Sequence, residues 1–158
     1  MERRTDGGRR APRIGIGILG LAHGHVNGYC EEWRKRPELG VDVTAGWDRD
    51  AARLAKGAEA HGFAAAASAE ELLAREDVAA VVVAAETSLH AELCEMAAAA
   101  GKAIVLQKPM ALRMREAERI AAAVERHGVP FTMAWQMRTD PQNLKIKELL
   151  DAGVLGKV

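Results

Sequence analysis

The chain has 158 residues, 49% of them hydrophobic, which is one domain's worth of sequence and enough to bury most of its apolar surface. Lysine plus arginine and aspartate plus glutamate number 22 each, so no global field exists for nucleic acid or an anionic membrane to exploit. The sequence has neither a signal-peptide core nor a run of about 18 apolar residues, which excludes a membrane-spanning helix and reads as a cytoplasmic protein.

In chain order, residues 1–12 read as a disordered leader rather than a nucleic-acid arm, because MERRTDGGRRAPR carries five arginines against two acids and no apolar run. From residue 13 the hydrophobic period switches repeatedly between 2 or continuous and 3.6, the signature of strands alternating with helices. Strands are predicted at residues 13–19, 41–47, 62–65, 79–84, 103–106 and 130–135. The run VAAVVVAA is apolar on both faces, as a central parallel strand must be when helices cover both sides. Three apolar helix stripes fall between the strands. They are Val26, Tyr29, Cys30 and Trp33; Leu89, Leu93, Met96 and Ala100; and Met114, Ala117, Ala121 and Val124. Ser68 with Glu71 is a capping box, Asp140 before Pro141 is a helix start, and Gly101, Gly128 and Gly153 stand where C-caps are expected. Cys30 and Cys94 lie alone on separate helices and read as small buried hydrophobes. The consistent solution is a right-handed, doubly wound, mostly parallel α/β sheet of Rossmann type over residues 13–153.

The stretch RIGIGILGLAHGHV offers two positions for a phosphate loop. Gly15, Gly17 and Gly20 match G-x-G-x-x-G literally. A turn at Gly15, however, would squeeze the strand into four residues containing Pro12 and drive the helix through Gly20 and Gly24. A turn at Gly20 leaves a buried strand of ordinary length, and LAHGH becomes the loop. The literal match is therefore read as a decoy. Asp48, at the end of the second strand, stands 28 positions after Gly20 and 33 after Gly15, and the usual spacing of about 20 favours Gly20. A carboxylate there accepts from the adenosine ribose hydroxyls and points to NAD, the alternative being a plain helix cap. Arg49 could stack on adenine or meet a 2′-phosphate, so NADP stays open.

With these motifs in order, the chain resembles the N-terminal domain of the glucose-fructose oxidoreductase, inositol dehydrogenase and rhizopine catabolism (Gfo/Idh/MocA) family. The resemblance runs from Arg13 to the end of the chain, through WDRDAARL, VVVAAETSLHAELCEMAAAAGKAIVLQKPMA and AWQMRTDPQNLKIKELLDAGVLGKV. The sequence departs from the family pattern at Ala22 and His25, in place of its second and third glycines, at Glu86 for proline and at Gln107 for glutamate.

The resemblance implies a nicotinamide cofactor, NAD or NADP, held by Gly20, Ala22, His23, Gly24 and His25 at the diphosphate and by Asp48 and Arg49 at the adenosine. It implies that Ala84, Ala85, Glu86 and Thr87 pass the nicotinamide ribose, with His90, Gln107 and Pro109 beside them. Lys108 is the implied catalytic residue, relaying a proton at the substrate hydroxyl while hydride moves; the bland alternative is a surface lysine. Pro109 is a candidate for a cis peptide. The pair His23 and His25 also has the H-x-H form of metal-dependent amidohydrolases, but those need a barrel of about 250 residues, so no metal is assigned. His61 and His127 read as helix C-terminal histidines.

Family members continue into a second, mostly antiparallel domain that supplies most substrate contacts and the oligomer surface. The resemblance therefore implies half an enzyme, with residues 154–158 starting a missing domain through which homo-oligomers would form. Two functions follow: part of a dehydrogenase acting on a sugar, cyclitol or related polyol, or a non-catalytic nucleotide-binding or regulatory module. The lysine favours the first.

Overall fold

The computed structural model describes residues 13–157, and the leader expected over residues 1–12 lies outside them. Six strands form one parallel sheet: β1 (Ile14–Leu19), β2 (Val41–Trp47), β3 (Ala64–Ala65), β4 (Ala80–Val83), β5 (Ala103–Leu106) and β6 (Phe131–Met133), in the order β3-β2-β1-β4-β5-β6. Helices α1 (His25–Lys35), α2 (Ala51–His61), α3 (Ala69–Ala74), α4 (His90–Ala99), α5 (Met114–His127) and α6 (Pro141–Asp151) fill the connections. This is the doubly wound Rossmann arrangement, and its strand order reverses between β1 and β4. Among the described residues, no helix is long and apolar enough to cross a membrane.

Side-chain alternation along the strands divides the core into two layers. Leu19, Val81, Val83, Ile104 and Leu106 pack with α3, α4 and α5, while Ile16, Ile18, Val82 and Ala84 pack with Val26 and Cys30 of α1. Each fully buried Val, Leu or Ile contributes about 1.5–3 kcal/mol of transfer free energy, and Val81, Val82 and Val83 of β4 are buried on both faces of the sheet. Both cysteines are buried and free, and burial pushes the Cys30 thiol up to about 11 and that of Cys94 to about 12.

The helix ends follow their local chemistry. Ser68 accepts from the Glu71 amide at 3.1 Å, and Asp140 accepts from the amides of Gln142 and Asn143. Two stripes need correction: Ala100, expected on the α4 stripe, is exposed at the C-cap of that helix, where the chain is already leaving the core. In α5, Met114 is 75% exposed and Ala121 is exposed, and the buried residues are Ile120 and Ala123, with Ala117 and Val124 at their flanks. Ala121, Ala122 and Ala123 are equally apolar, so the sequence alone leaves the phase of this helix open and packing against α4 selects it. Residues 154–157 form no strand.

Gly15 and Gly17 lie inside β1, where glycine serves close packing. A Cβ on Gly15 would stand 1.7 Å from the Asp77 carbonyl oxygen, and one on Gly17 would stand 2.6 Å from a Leu72 methyl. The chain turns at Gly20, whose φ of +87° is in the left-handed region and whose Cβ would fall 2.3 Å from the Ala85 Cα. The bend therefore occurs after a complete strand, in the register that the strand and helix lengths require. Gly20→Ala is expected to destabilise the fold by about 2 kcal/mol or more, since strained backbone and overlap with a neighbouring backbone add. Gly24→Ala, in helical conformation with no atom near the new methyl, is expected to change stability by less than about 1 kcal/mol. Urea denaturation of the two variants gives the comparison, and equal effects would contradict this account of the bend.

Candidate functional site

The sequence-predicted residues gather along the carboxyl edge of the sheet, at the switch point between β1 and β4. The loop leaving β1 is pinned from both sides. The Gly20 amide donates to the Trp47 carbonyl at 2.7 Å, the Leu21 amide to Asp48 Oδ2 at 2.6 Å, and the His23 amide to the Ala84 carbonyl at 2.9 Å. Three nearby amides, those of Ala22, Gly24 and His25, have no acceptor among the described residues. They stand at the start of α1, where Gly24 is the N-cap and contributes no side-chain cap. A helix N-terminus with free amides carries partial positive charge directed at whatever lies in front of it.

The remaining residues fall into two groups at opposite ends of this loop. The first is an arginine–carboxylate cluster. Asp48 is buried, and its carboxylate accepts four hydrogen bonds: from the amides of Leu21 and Asp50 and from Nε and Nη2 of Arg53, all between 2.6 and 2.8 Å. A carboxylate has about four lone-pair sites, so the acceptor expected to meet ribose is already filled from within the chain. Arg53 Nη2 also donates to Glu86 Oε1 at 2.8 Å, and Arg49 Nε lies 3.5 Å from that oxygen. Burial pushes the Asp48 carboxyl up, but the Arg53 pair and the two amides outweigh it and hold it below its ordinary range. Glu86 is also held low, its partial burial outweighed mainly by Arg53.

The second group is a histidine–lysine cluster. His90 is fully buried at the start of α4. Its Nδ1 faces the carbonyls of Pro109 and Met110 at 3.1 and 3.2 Å, and its Nε2 faces that of Ala85 at 3.2 Å. Those contacts tie the end of β4 to the segment that carries Lys108, whose peptide bond to Pro109 is cis. Burial first, and then the neighbouring Lys108 ammonium and the rings of His25 and His90, lower the pKa of His23. Its Nδ1 is buried without a partner. His23 and His25 stand with ring centroids 4.9 Å apart. Among the described residues, no group of three or more His, Cys, Asp or Glu is arranged to hold a metal ion.

Gln107 is fully buried at the end of β5, and its Nε2 donates to the Tyr29 hydroxyl at 2.6 Å. Gln136 donates to the same hydroxyl at 2.5 Å. Thr87 begins the half-exposed turn before α4. Arg53 and Tyr29 are the residues that sequence reasoning missed. Tyr29 was visible only as part of an apolar stripe. The available signal for Arg53 was its place in the first turn of α2, three residues after the Asp50 cap, from which a long side chain reaches back to the strand end. His61, at the end of α2, is bonded to Asn27 at 2.8 Å and ties α2 to α1.

Residues 14–135 match the family model described as "Oxidoreductase family, NAD-binding Rossmann fold" (Gfo/Idh/MocA). The chain is 38% identical over 146 residues to a myo-inositol dehydrogenase of Streptomyces leeuwenhoekii, covering 92% of this chain and 42% of that protein. It is 32% identical over 144 residues to a D-apiose dehydrogenase of Paraburkholderia graminis, covering 90% and 36%. A 3-ketoreductase from Actinomadura kijaniata, solved in complex with NADP and TDP-benzene, shares the fold with a TM-score of 0.78 and 29% identity, covering 90% of this chain and 43% of that one. The chain thus spans less than half the length of these relatives.

The Asp48–Arg53 pair makes stability depend on pH. Because the folded-state pKa of Asp48 lies below its ordinary 3.8, the stabilisation is complete above that value and is lost as pH falls through the lower, folded-state value. Asp48→Asn, which leaves Arg53 without its buried partner, is expected to cost about 2–3 kcal/mol at neutral pH. The gap to the parent chain should narrow below about pH 4 in urea denaturation. A gap of equal size at both pH values would contradict this role for the pair.

Proposed function

The chain belongs to the Gfo/Idh/MocA oxidoreductase family with its NAD-binding Rossmann fold, and from that premise we propose that it is the dinucleotide-binding half of an enzyme that oxidises or reduces a sugar, cyclitol or related polyol. The observation that carries this reading is the pinned loop after Gly20, which leaves three amides without acceptors at the start of α1. These residues fit a nicotinamide dinucleotide. The amides of Ala22, Gly24 and His25 suit an anionic diphosphate, and the turn at Gly20 brings the loop backbone against Ala85 with no side chain between them. When bound, the nicotinamide ring supplies hydride acceptance or donation.

The chain's own residues then divide the work. Ala84, Ala85 and Thr87 give the β4 end a small, mostly buried floor beside the loop. Lys108 binds the substrate hydroxyl through Nζ and takes or returns its proton. His90 holds the Pro109 segment and so sets the direction from which Lys108 enters. His23 helps to fix the loop, its amide donating to the Ala84 carbonyl. Gln107, where relatives carry glutamate, brings no charge to this end and is spent on Tyr29. The substrate class rests on relatives such as the myo-inositol and D-apiose dehydrogenases, and the lysine at the crevice favours chemistry over a purely nucleotide-sensing role.

Titration of the folded chain with NADH, followed by tryptophan fluorescence, is expected to give saturable quenching, because Trp47 ends β2 next to the site. A folded chain that binds neither NADH nor NADPH would overturn the proposal. Lys108→Ala should leave NADH affinity within about threefold, yet lower kcat by about a hundredfold or more in an enzyme carrying this domain together with a substrate domain. An unchanged kcat would remove Lys108 from the mechanism.

A further inference from the structure

The arginine–carboxylate cluster at the ends of β2 and β4 contains two arginines and two carboxylates, and its wiring is uneven. Asp48 is saturated: all four of its acceptor sites are taken by Leu21, Asp50 and Arg53. Glu86 is not. Its Oε1 holds Arg53 and faces Arg49, whereas its Oε2 is buried without a partner. Beyond Arg49 lies a cleft of about 210 Å³ whose walls include Trp47, Leu89, Leu93, Met96 and Glu92. The apolar walls suit the faces of a purine, and a ribose attached to that purine would meet the edge formed by Arg49 and Glu86.

A 2′-phosphate on the adenosine ribose is all that separates the two nicotinamide dinucleotides, and arginine is the side chain that ordinarily receives it. Here, both candidate arginines already face one carboxylate. We infer that Glu86, in the loop after β4 rather than at the end of β2, is the residue that selects NAD(H) over NADP(H), by keeping Arg49 and Arg53 from a 2′-phosphate. A 2′-phosphate at this edge would be repelled by the Glu86 carboxylate, whose Oε1 already faces both arginines, whereas a neutral ribose hydroxyl meets no such repulsion. Without Glu86, the cluster carries one net positive charge and presents the Arg49 fork to an anion. Glu86 stands in the loop after β4, apart from the glycine turn, so the device is separate from the loop that takes the diphosphate. This inference rests on the proposed dinucleotide site and goes beyond it only in naming what discriminates.

The test is a pair of titrations, NADH and NADPH, on the parent chain, Glu86→Gln, and Glu86→Gln combined with Arg49→Ala, with circular dichroism to establish folding. The parent is expected to bind NADH about tenfold or more tighter than NADPH, and Glu86→Gln to bring NADPH to within about threefold of NADH by freeing charge-assisted hydrogen bonds. Adding Arg49→Ala should remove that gain. If Glu86→Gln does not fold, Glu86→Ala serves in its place: it too should bring NADPH to within about threefold of NADH, and a parent-like ratio in that variant would overturn the inference. A Glu86→Gln chain that still binds NADH with the parent's NADH-to-NADPH ratio overturns the inference while leaving the dinucleotide site standing. A parent chain that binds neither nucleotide overturns both.

Discussion

The fit of a bare backbone turn at Gly20 against Ala85 is the constraint on which the site depends. Because no Cβ stands between them, β1 can end, reverse and hand its chain to α1 directly over the end of β4. Three backbone amides are then used to fix the loop, to Trp47 and Asp48 on one side and to Ala84 on the other, and the three left over all lie near the start of one helix. The anion-binding character of the loop is thus a by-product of how it is anchored. Side chains contribute little to it.

Charge is distributed around this neutral turn with a clear polarity. At one end, Arg53 spans the carboxylates of Asp48 and Glu86 and fastens β2 to β4 across the intervening strand. At the other, Lys108 stands near two histidines, one of them lowered by burial and by the lysine itself. The buried ion pair is costly to desolvate and is stabilising only because every lone pair of Asp48 is answered. Asp48 therefore organises the site by holding Leu21 and Arg53 in place, and the group left to meet a ligand at that end is Glu86.

Much of the fold was legible in the sequence, and for identifiable reasons. The decoy glycines could be rejected because a turn at Gly15 demanded a strand through proline and a helix through two glycines, and both are physically poor. Strand β4 was legible because three consecutive valines within an apolar run have few other uses. What stayed hidden was whatever depends on contacts between distant segments. The phase of α5 was ambiguous within an alanine run until α4 was placed against it. Arg53 was hidden because its partner Glu86 lies 33 residues away in the loop after β4, and no local spacing connects them. Lys108 and His90 were visible as a motif, yet their link through the Pro109 carbonyl is a fact of three dimensions.

The most direct test of the central claim is the amide nitrogen–proton spectrum of the chain recorded during titration with NADH. The account predicts that the largest saturable shifts fall on Ala22, Gly24 and His25, whose amides are free to take a diphosphate, while Gly15 and Gly17, inside the strand, stay in place. Shifts centred on Gly15 and Gly17, or none near the start of α1 at saturating nucleotide, would contradict it.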